Sequence, residues 1–421
     1  MMEKRYCEIK NKYVQFTHRQ GGVIYSPVTA DERSKIGIIM MHSDGDYYGF
    51  IPGPELAKRG FTVLGSNVGT SRGPFEDKLE DVGRAVSYLK GVPGIEKIVL
   101  LGHSGGATLM SAYQAVAENG AGVFQDENKI VKMRNIQALP KADAVMLLDS
   151  NWGNGVMTLV SLEPGITDNS SSRNLSPGFD LFDPANGFDR SGSHYSADFV
   201  ARYLKAQEER NNRLIAHALE RLEKLENKEA DFDDDEPFVI AGGAQMAPNN
   251  KLFPQDVRYL AHTQDEYDLI HGDASVSHEV IKSWRKPQFD RNMVTVNKMA
   301  TDMTTIRTFL TCSCVRTNGF GYDDSHIYGV DYDSSFSCTP GNIKHVTAPL
   351  LIMGMTGSYE FLAAEQIYKN AASADKTMVF IEGASHNFTP QKDAEEYEGQ
   401  FGDTVKNCFD YAADWLVKTE F

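Results

Sequence analysis

The chain is 421 residues long, and its 42 basic and 58 acidic side chains give a formal net charge of −16. Nucleic acids and anionic membrane surfaces bind clustered Lys and Arg, so this balance argues against both as main partners. It also disfavours a highly anionic substrate, unless one local basic pocket overrides the net charge. Hydrophobic residues at 41% and charged residues at 24% are ordinary for a globular protein and exclude wholesale disorder.

No segment has the pattern of an export signal or a membrane span. The N-terminal stretch Met1–Phe16 is charged throughout. The longest aliphatic runs, Ile36–Met41 and Ala144–Leu148, are far shorter than the ~20 residues of a membrane helix. The five cysteines include no CxxC pair, which predicts reduced thiols and no zinc site. We therefore expect a cytoplasmic protein without a metal or other cofactor; the sequence does not exclude a homo-oligomer.

Strand and helix patterns alternate in the first third of the chain. Short apolar runs predict strands at Lys35–Met41, Phe61–Leu64, Lys97–Leu101 and Ala144–Leu148. Helical spacing between those runs predicts helices at Pro54–Arg59, Asp81–Leu89 and Ser104–Ala117. Apolar strands separated by helices are typical of a parallel sheet buried on both faces, and the fold class is therefore α/β.

The alternation stops after Asp149 and resumes near Ala348. In between, residues 150–195 are rich in Gly, Ser, Asn and Pro and are predicted to form loops, while helices are predicted at Ser196–Leu225 and Ala300–Leu310. The later predicted elements are Pro349–Met353, Glu365–Ala372, Met378–Ile381 and a closing helix at Val405–Val417. We divide the chain into an N-terminal core (1–149), an inserted cap (150–345) and a C-terminal core (346–421).

The pentapeptide Gly102-His103-Ser104-Gly105-Gly106 matches the G-x-S-x-G nucleophile elbow. It lies between a predicted strand and a predicted helix, which is the setting that the motif requires. A sharp turn at that point exposes the serine hydroxyl, and small residues two positions before and after it let the backbone bend. The pattern therefore predicts that Ser104 is a nucleophile.

With this motif the sequence resembles the α/β-hydrolase superfamily over about half of its length. Lys35–Asp44 is similar to the third strand and HG-type turn of the family, with Ser43 in place of the usual Gly. Pro349–Glu360 and Met378–His386 resemble the last core strands, which carry the acid and the histidine. The resemblance implies an α/β-hydrolase fold. Its central sheet is mostly parallel and flanked by helices, and a large, mainly helical cap is inserted before the acid-bearing strand.

A serine hydroxyl needs a base, and the family order of serine, acid and histidine points to a histidine near the C-terminus. His386 follows a predicted strand and a small-residue turn, so we expect it to be the base. The acid is open between two carboxylates. We prefer Glu360, the first carboxylate after the predicted strand at 349–353, and Asp149 at the end of the preceding core strand is the alternative.

The oxyanion hole is expected to use backbone N–H groups of Gly105, directly after the nucleophile, and Asp44, two residues past His42. Trp152 follows a core strand at its carboxyl end and is a candidate pocket residue, together with Ser43. His103 is also a pocket candidate, although its place inside the elbow favours packing.

These residues predict a serine hydrolase acting on an ester, thioester or lactone through an acyl-enzyme. We expect the substrate to be a medium-sized, largely apolar or aromatic small molecule. The alternative is that the same triad cleaves a carbon–carbon bond or cyclises a diketone or polyketide-like substrate. A non-catalytic binding protein with this fold is a third hypothesis. No phosphate loop or dinucleotide motif is present in the sequence.

Overall fold

The computed structural model of the chain describes residues 6–166, 176–245, 251–288 and 301–421. The strands in these residues are β1 (Ile9–Gln15), β2 (Gly21–Pro27), β3 (Ile36–Met40), β4 (Thr62–Ser66), β5 (Lys97–Ser104), β6 (Ala144–Ser150), β7 (Pro237–Ala241), β8 (His262–Ile270), β9 (Val276–Lys282), β10 (Thr301–Thr305), β11 (Arg316–Tyr322), β12 (Ile327–Asp331), β13 (Leu350–Met355) and β14 (Lys376–Ile381). The helices are α1 (Pro52–Lys58), α2 (Phe75–Lys90), α3 (Gly105–Asn119), α4 (Asn154–Ser161), α5 (Ala197–Glu226), α6 (Ile306–Cys312), α7 (Thr339–Asn342), α8 (Phe361–Asn370) and α9 (Thr404–Lys418).

Ten of these strands form one central sheet in the order β1-β2-β4-β3-β5-β6-β13-β14-β8-β9. From β4 to β8 every neighbouring pair is parallel, and the two ends of the sheet are antiparallel. The carboxyl ends of β5, β6 and β13 therefore lie side by side at one edge of the sheet. The fold class predicted from the sequence is confirmed.

Both faces of the sheet are buried, and alternate residues of a strand enter different cores. Along β6, Val145 and Leu147 belong to one apolar cluster, and Met146 and Leu148 belong to another. The first cluster includes residues of α2, α3 and α8, and the second includes residues of α1 and α9. Full burial of a side chain such as Phe409 stabilises the fold by about 1.5–3 kcal/mol. This burial on both faces explains why the core strands are apolar without alternation.

Two strands of the central sheet lie inside the segment predicted as a cap. β8 pairs in parallel with β14, and β9 closes that edge as its antiparallel neighbour. The core is therefore built from three stretches of the chain, not from two. The sequence of β8, HTQDEYDLI, is mostly polar because much of the strand is exposed, and a search for apolar runs misses it.

The remaining part of the insertion combines the long helix α5 with two small sheets, β7–β10 and β11–β12. The helix predicted at 196–225 is confirmed as α5. The helix predicted at 300–310 is wrong in its first half, where residues 301–305 form β10; residue 300 lies outside the described part. Three threonines in TDMTT favour the extended strand, and Thr305 then caps α6 by accepting from the N–H of Thr308.

One short helix in the stretch predicted as loops, α4, follows β6 directly. All of its residues are buried, so it lacks the amphipathic spacing by which a surface helix is recognised. Among the described helices, none has both the length and the apolar character needed to cross a membrane.

Candidate active site

Ser104 stands at the turn from β5 into α3, and its backbone has the left-handed φ of 54°. This conformation is unfavourable for a non-glycine residue and must be held by the surrounding structure. The neighbouring glycines leave the room that the turn requires. A Cβ on Gly102 would lie 2.5 Å from Cα of Ala107, and one on Gly106 would lie 2.5 Å from the carbonyl oxygen of Met41. The turn therefore has the local geometry that the sequence motif predicts.

His386 lies in the loop after β14, beside the end of β6. Its Nδ1 is 2.6 Å from Oδ2 of Asp149. The other carboxylate oxygen of Asp149 accepts a hydrogen bond from the N–H of Met355 at 3.0 Å, and its side chain is fully buried. Asp149 also has a left-handed φ, 44°, which is unfavourable for a non-glycine residue. Since Asp149 binds Nδ1, the other ring nitrogen, Nε2, is left for proton transfer.

Glu360, the acid that the sequence analysis preferred, is farther from the histidine than Asp149. Its Oε2 lies 3.6 Å from Nδ1 of His386, beyond hydrogen-bonding distance, and this buried oxygen has no hydrogen-bond partner among the described residues. The geometry favours the alternative over this preference, because the carboxylate that is hydrogen-bonded to His386 is Asp149. The reason is the strand order, because Asp149 stands at the end of β6 itself, directly beside β5, whereas Glu360 comes only after a further turn beyond β13.

The two carboxylates act together on the charge of the histidine. Desolvation alone would lower the pKa of His386, but the charge of Glu360 and the hydrogen bond and charge of Asp149 outweigh it and raise the pKa to about 9. Desolvation also raises the pKa of Glu360; the charge of His386 lowers it, and the charge of Asp149 raises it. The site therefore favours a protonated histidine, which is the form that follows proton abstraction from a serine.

His103 is buried behind His386 and does not reach the pocket that His386 lines. Its Nε2 is 2.7 Å from the carbonyl oxygen of His386, which can only accept, so this nitrogen carries the proton. Its Nδ1 then accepts from the hydroxyl of Tyr47 at 2.6 Å. Desolvation and the charge of His386 hold the pKa of His103 well below its usual value, so the ring is neutral. His103 fixes the backbone of the loop that carries His386.

The two expected oxyanion donors differ in their surroundings. Gly105 is the first residue of α3, where N–H groups lack partners within the helix. The N–H of Asp44, in contrast, is directed at Nδ1 of His42, 3.2 Å away, as is the N–H of Gly45 at 2.9 Å, and the carboxylate of Asp44 lies 2.6 Å from the same nitrogen. Gly105 thus lies directly after the nucleophile, as expected of a donor, whereas the N–H of Asp44 points at His42.

Asn154 is a polar side chain at this site that the sequence analysis did not assign a role. Its Nδ2 donates to Oγ of Ser43 at 3.2 Å, and its Oδ1 is 2.9 Å from the position that a Cβ on Gly105 would take. Both Asn154 and Ser43 are buried. The sequence signal that could have pointed to Asn154 is its position, because it follows a core strand at the carboxyl edge of the sheet.

Trp152 is 2% exposed and belongs to the apolar cluster shared with α2 and α3. It packs in the core and is absent from the lining of the described pocket beside His386. That pocket has a volume of about 170 Å³ and is lined by His386 together with Tyr359, Ser385 and the basic pair Arg285 and Lys286, among others. Ser43 does not line it either.

The described residues contain one cluster with metal-ligating groups, formed by His103, Asp149 and His386, whose ligand atoms lie within 4.8 Å of one another. Both nitrogens of His103 and the Nδ1 of His386 already have hydrogen-bond partners. This donor set therefore does not fit a metal without breaking those hydrogen bonds.

No protein-family model and no curated protein matches the chain. Similar solved structures include the siderophore hydrolase EstB from Aspergillus fumigatus, with a TM-score of 0.46, 10% identity and coverage of 98% of this chain and 99% of that chain. Est1E from Butyrivibrio proteoclasticus has a TM-score of 0.41 and 10% identity over 97% of this chain and 98% of its own. A hypothetical protein from Pseudomonas aeruginosa has a TM-score of 0.44 and 12% identity over 98% and 95%. At these scores and identities the likenesses carry no argument about activity or substrate.

The architecture of the molecule itself decides its fold. The sheet is mostly parallel, and helices cover both of its faces. A serine with a left-handed backbone stands at the turn from β5 into α3, and a histidine lies in the loop after β14. These are the features of the α/β-hydrolase superfamily, and the chain has the α/β-hydrolase fold.

Proposed function

We propose that the chain is a serine hydrolase that cleaves an ester, thioester or lactone of a small molecule. One observation carries this proposal: His386 is held through Nδ1 by a buried carboxylate, and its ring packs against His103, the residue before the serine of the strained elbow. The hydrogen bond from Nδ1 to Asp149 fixes the tautomer in which Nε2 can accept a proton. A nucleophile, a base and an orienting acid are the three groups that acyl transfer through serine requires.

In the proposed reaction, Nε2 of His386 takes the proton of Ser104 as Oγ bonds to the carbonyl carbon of the substrate. The carbonyl oxygen becomes an oxyanion, and His386 carries a positive charge that Asp149 stabilises. Collapse of the intermediate breaks the bond to the leaving group, which takes the proton from His386. Water then attacks the acyl-enzyme by the same steps and releases the acid and the free Ser104.

For the oxyanion we propose the N–H of Gly105 as the donor, since the N–H of Asp44 is directed at His42. The side chain of Asn154 lies against Gly105 through its carbonyl oxygen, which can only accept, and its Nδ2 donates to Ser43, so Asn154 is not proposed as a second donor. A fixed donor of this kind is worth about 10²–10³ in turnover.

The expectation of an apolar or aromatic substrate group remains part of the proposal. Tyr359 lines the pocket beside His386, and the ring of Phe253 packs against it with centroids 5.5 Å apart. The ring of Tyr359, supported by Phe253, can contact a flat or apolar group, because aromatic faces pack against such surfaces.

The test is hydrolysis of short p-nitrophenyl esters by the wild-type chain and by Ser104→Ala. The proposal expects turnover by the wild type and none above background by the variant. Turnover of a diketone without turnover of any ester would replace the proposal with carbon–carbon bond cleavage. Equal turnover by Ser104→Ala and wild type would show that the serine is not the nucleophile.

A further inference from the structure

Arg285 is a buried arginine that forms no ion pair with a described residue. It follows β9 and is 8% exposed. Its Nη2 donates to the carbonyl oxygens of Tyr259 and Leu260, the latter at 3.2 Å. Its Nε and Nη1 are buried and have no hydrogen-bond partner among the described residues. Unpaired buried donors are costly and rare in native structures, and a bound ion or ligand is one of their recognised explanations.

The described carboxylate whose charge acts on Arg285, Asp256, is paired with another arginine. Asp256 binds Arg258 through both of its oxygens, at 2.8 and 2.6 Å, and one of these oxygens also accepts from the N–H of Tyr195. The Cζ atom of Arg285 lies over the ring of Phe253, 5.9 Å from the ring centroid. Burial lowers the pKa of Arg285 to about 10, so the guanidinium is still charged at neutral pH.

Arg285 lines the same pocket as His386, and that pocket carries an excess of positive charge. Lys286, an exposed lysine, lines it as well, and no described lining residue is Asp or Glu. The remaining lining includes neutral hydrogen-bonding side chains such as Gln288 and Gln391. In a chain of net charge −16, an acid-free pocket with two cations is an unusual local environment. At about 170 Å³ the pocket has room for a carboxylate group.

The position of the pocket indicates which part of a substrate enters it. His386 lines the pocket, whereas Ser104 and Gly105 do not. In acyl transfer the base gives its proton to the leaving group, so a group that contacts His386 away from the nucleophile belongs to the leaving side.

We propose that Arg285 and Lys286 bind one carboxylate carried by the alcohol portion of the ester that this site cleaves. The proposal rests on the proposed function and adds the substrate class to it: esters of hydroxy acids, with Tyr359 beside the carbon skeleton. The carboxylate accepts hydrogen bonds from the guanidinium and compensates its charge, as Arg does for carboxylates at other binding sites.

The experiment compares two acetate esters that differ by one charge, para-carboxyphenyl acetate and para-carbamoylphenyl acetate. The wild type is expected to have the higher kcat/KM for the carboxylate. Arg285→Met is expected to lose about 10–100-fold in kcat/KM on the carboxylate and less than about threefold on the amide. Lys286→Met should show a smaller loss of the same kind. The matched control is Lys282→Met, which removes an exposed lysine that does not line the pocket.

A loss of equal size on both esters in Arg285→Met would assign the residue a purely structural role and overturn the proposal. If Arg285→Met does not fold, calorimetry on Ser104→Ala decides, with para-hydroxybenzoate and para-hydroxybenzamide as ligands. We expect the acid to bind at least about tenfold more tightly than the amide; equal affinities overturn the proposal. Failure of the proposed function is a separate result, because it appears as unchanged ester turnover in Ser104→Ala.

Discussion

Asp149 and Glu360 both face Nδ1 of His386, and their distances give them different roles. Asp149, at 2.6 Å, holds the ring and is itself held by the N–H of Met355. We predict that Asp149→Asn lowers turnover by about 10³–10⁴, because the amide stabilises the wrong tautomer and cannot stabilise the imidazolium. Steady-state kinetics on an ester, with circular dichroism to confirm folding, measures this.

Glu360→Gln is the matched comparison, since it makes the same change on the carboxylate that lies 3.6 Å away. We expect it to keep most of the turnover at its optimal pH. An inactive Glu360→Gln beside an active Asp149→Asn would return the acid to Glu360 and contradict the geometry described above.

Glu360 has a second, electrostatic consequence for the pH dependence. The folded pKa of His386 is raised to about 9, and the charge of Glu360 is the first of the groups that raise it. The base must be neutral to accept a proton, so kcat/KM is lost as the pH falls through that pKa. We predict that Glu360→Gln moves this limb of the pH profile to lower pH. Glu398→Gln, which removes an exposed charge, is the control and should leave the limb in place.

At the residue scale, what the sequence could predict depended on how local the signal is. Ser104 is specified by five consecutive residues, and His386 by its place after a strand. The acid depends on which strand ends lie beside the histidine loop. That is a property of the strand order β5-β6-β13-β14, which no local pattern contains. The unpartnered Arg285 was likewise invisible, because its surroundings are assembled from distant parts of the chain.

At the scale of elements, the turn between β5 and α3 depends on glycine at Gly102. A Cβ there would lie 2.5 Å from the backbone of Ala107, which has no freedom to yield. We predict that Gly102→Ala lowers the free energy of unfolding by about 2 kcal/mol or more and abolishes turnover, because the serine is displaced. Urea unfolding and ester kinetics measure the two effects.

Gly122→Ala is the control for this substitution. Gly122 lies just after α3, and a Cβ there meets nothing within 4 Å. The control is expected to change stability by no more than about 0.5 kcal/mol. If both variants behave alike, close packing at the elbow is not what constrains position 102.

Elements were predictable where their burial is uniform or clearly one-sided. The apolar runs at 97–101 and 144–148 are confirmed as parts of β5 and β6, which are buried on both faces. The hairpin β1–β2 was not predicted, because β1 lies at an edge of the sheet and is mostly exposed. The polar strand β8 has no apolar run and the fully buried helix α4 has no amphipathic spacing, so neither was predicted. In each case tertiary position, and not local propensity, determined the element.

At the scale of the whole molecule, a buried ion pair joins the first and last helices of the core. Nε of Arg59, at the end of α1, is 2.8 Å from Oδ1 of Asp410 in α9, and both side chains are less than a tenth exposed. Breaking a buried pair costs about 3–5 kcal/mol, but Glu55 also binds Arg59 at 2.8 Å and keeps it partly compensated. We predict that Asp410→Asn lowers the free energy of unfolding by about 2–3 kcal/mol, measured by urea unfolding.

The surface pair of Lys132 and Glu127 provides the comparison, because both side chains are at least half exposed. Lys132→Met should change stability by less than about 0.5 kcal/mol. A similar effect of both substitutions would mean that the ends of the core are not joined by the Arg59–Asp410 pair. The sequence could not predict this pair, since its members are 351 residues apart.

Covalent labelling with a fluorophosphonate tests the central claim most directly, because such a probe reacts with a serine only where a base activates it. Peptide mass spectrometry of the wild-type chain is expected to show one adduct, on Ser104. Ser104→Ala should show none, and Asp149→Asn should label far more slowly than Glu360→Gln. An adduct on another residue, or a folded wild-type chain that is not labelled, would contradict the assignment of Ser104, His386 and Asp149 as the reacting set.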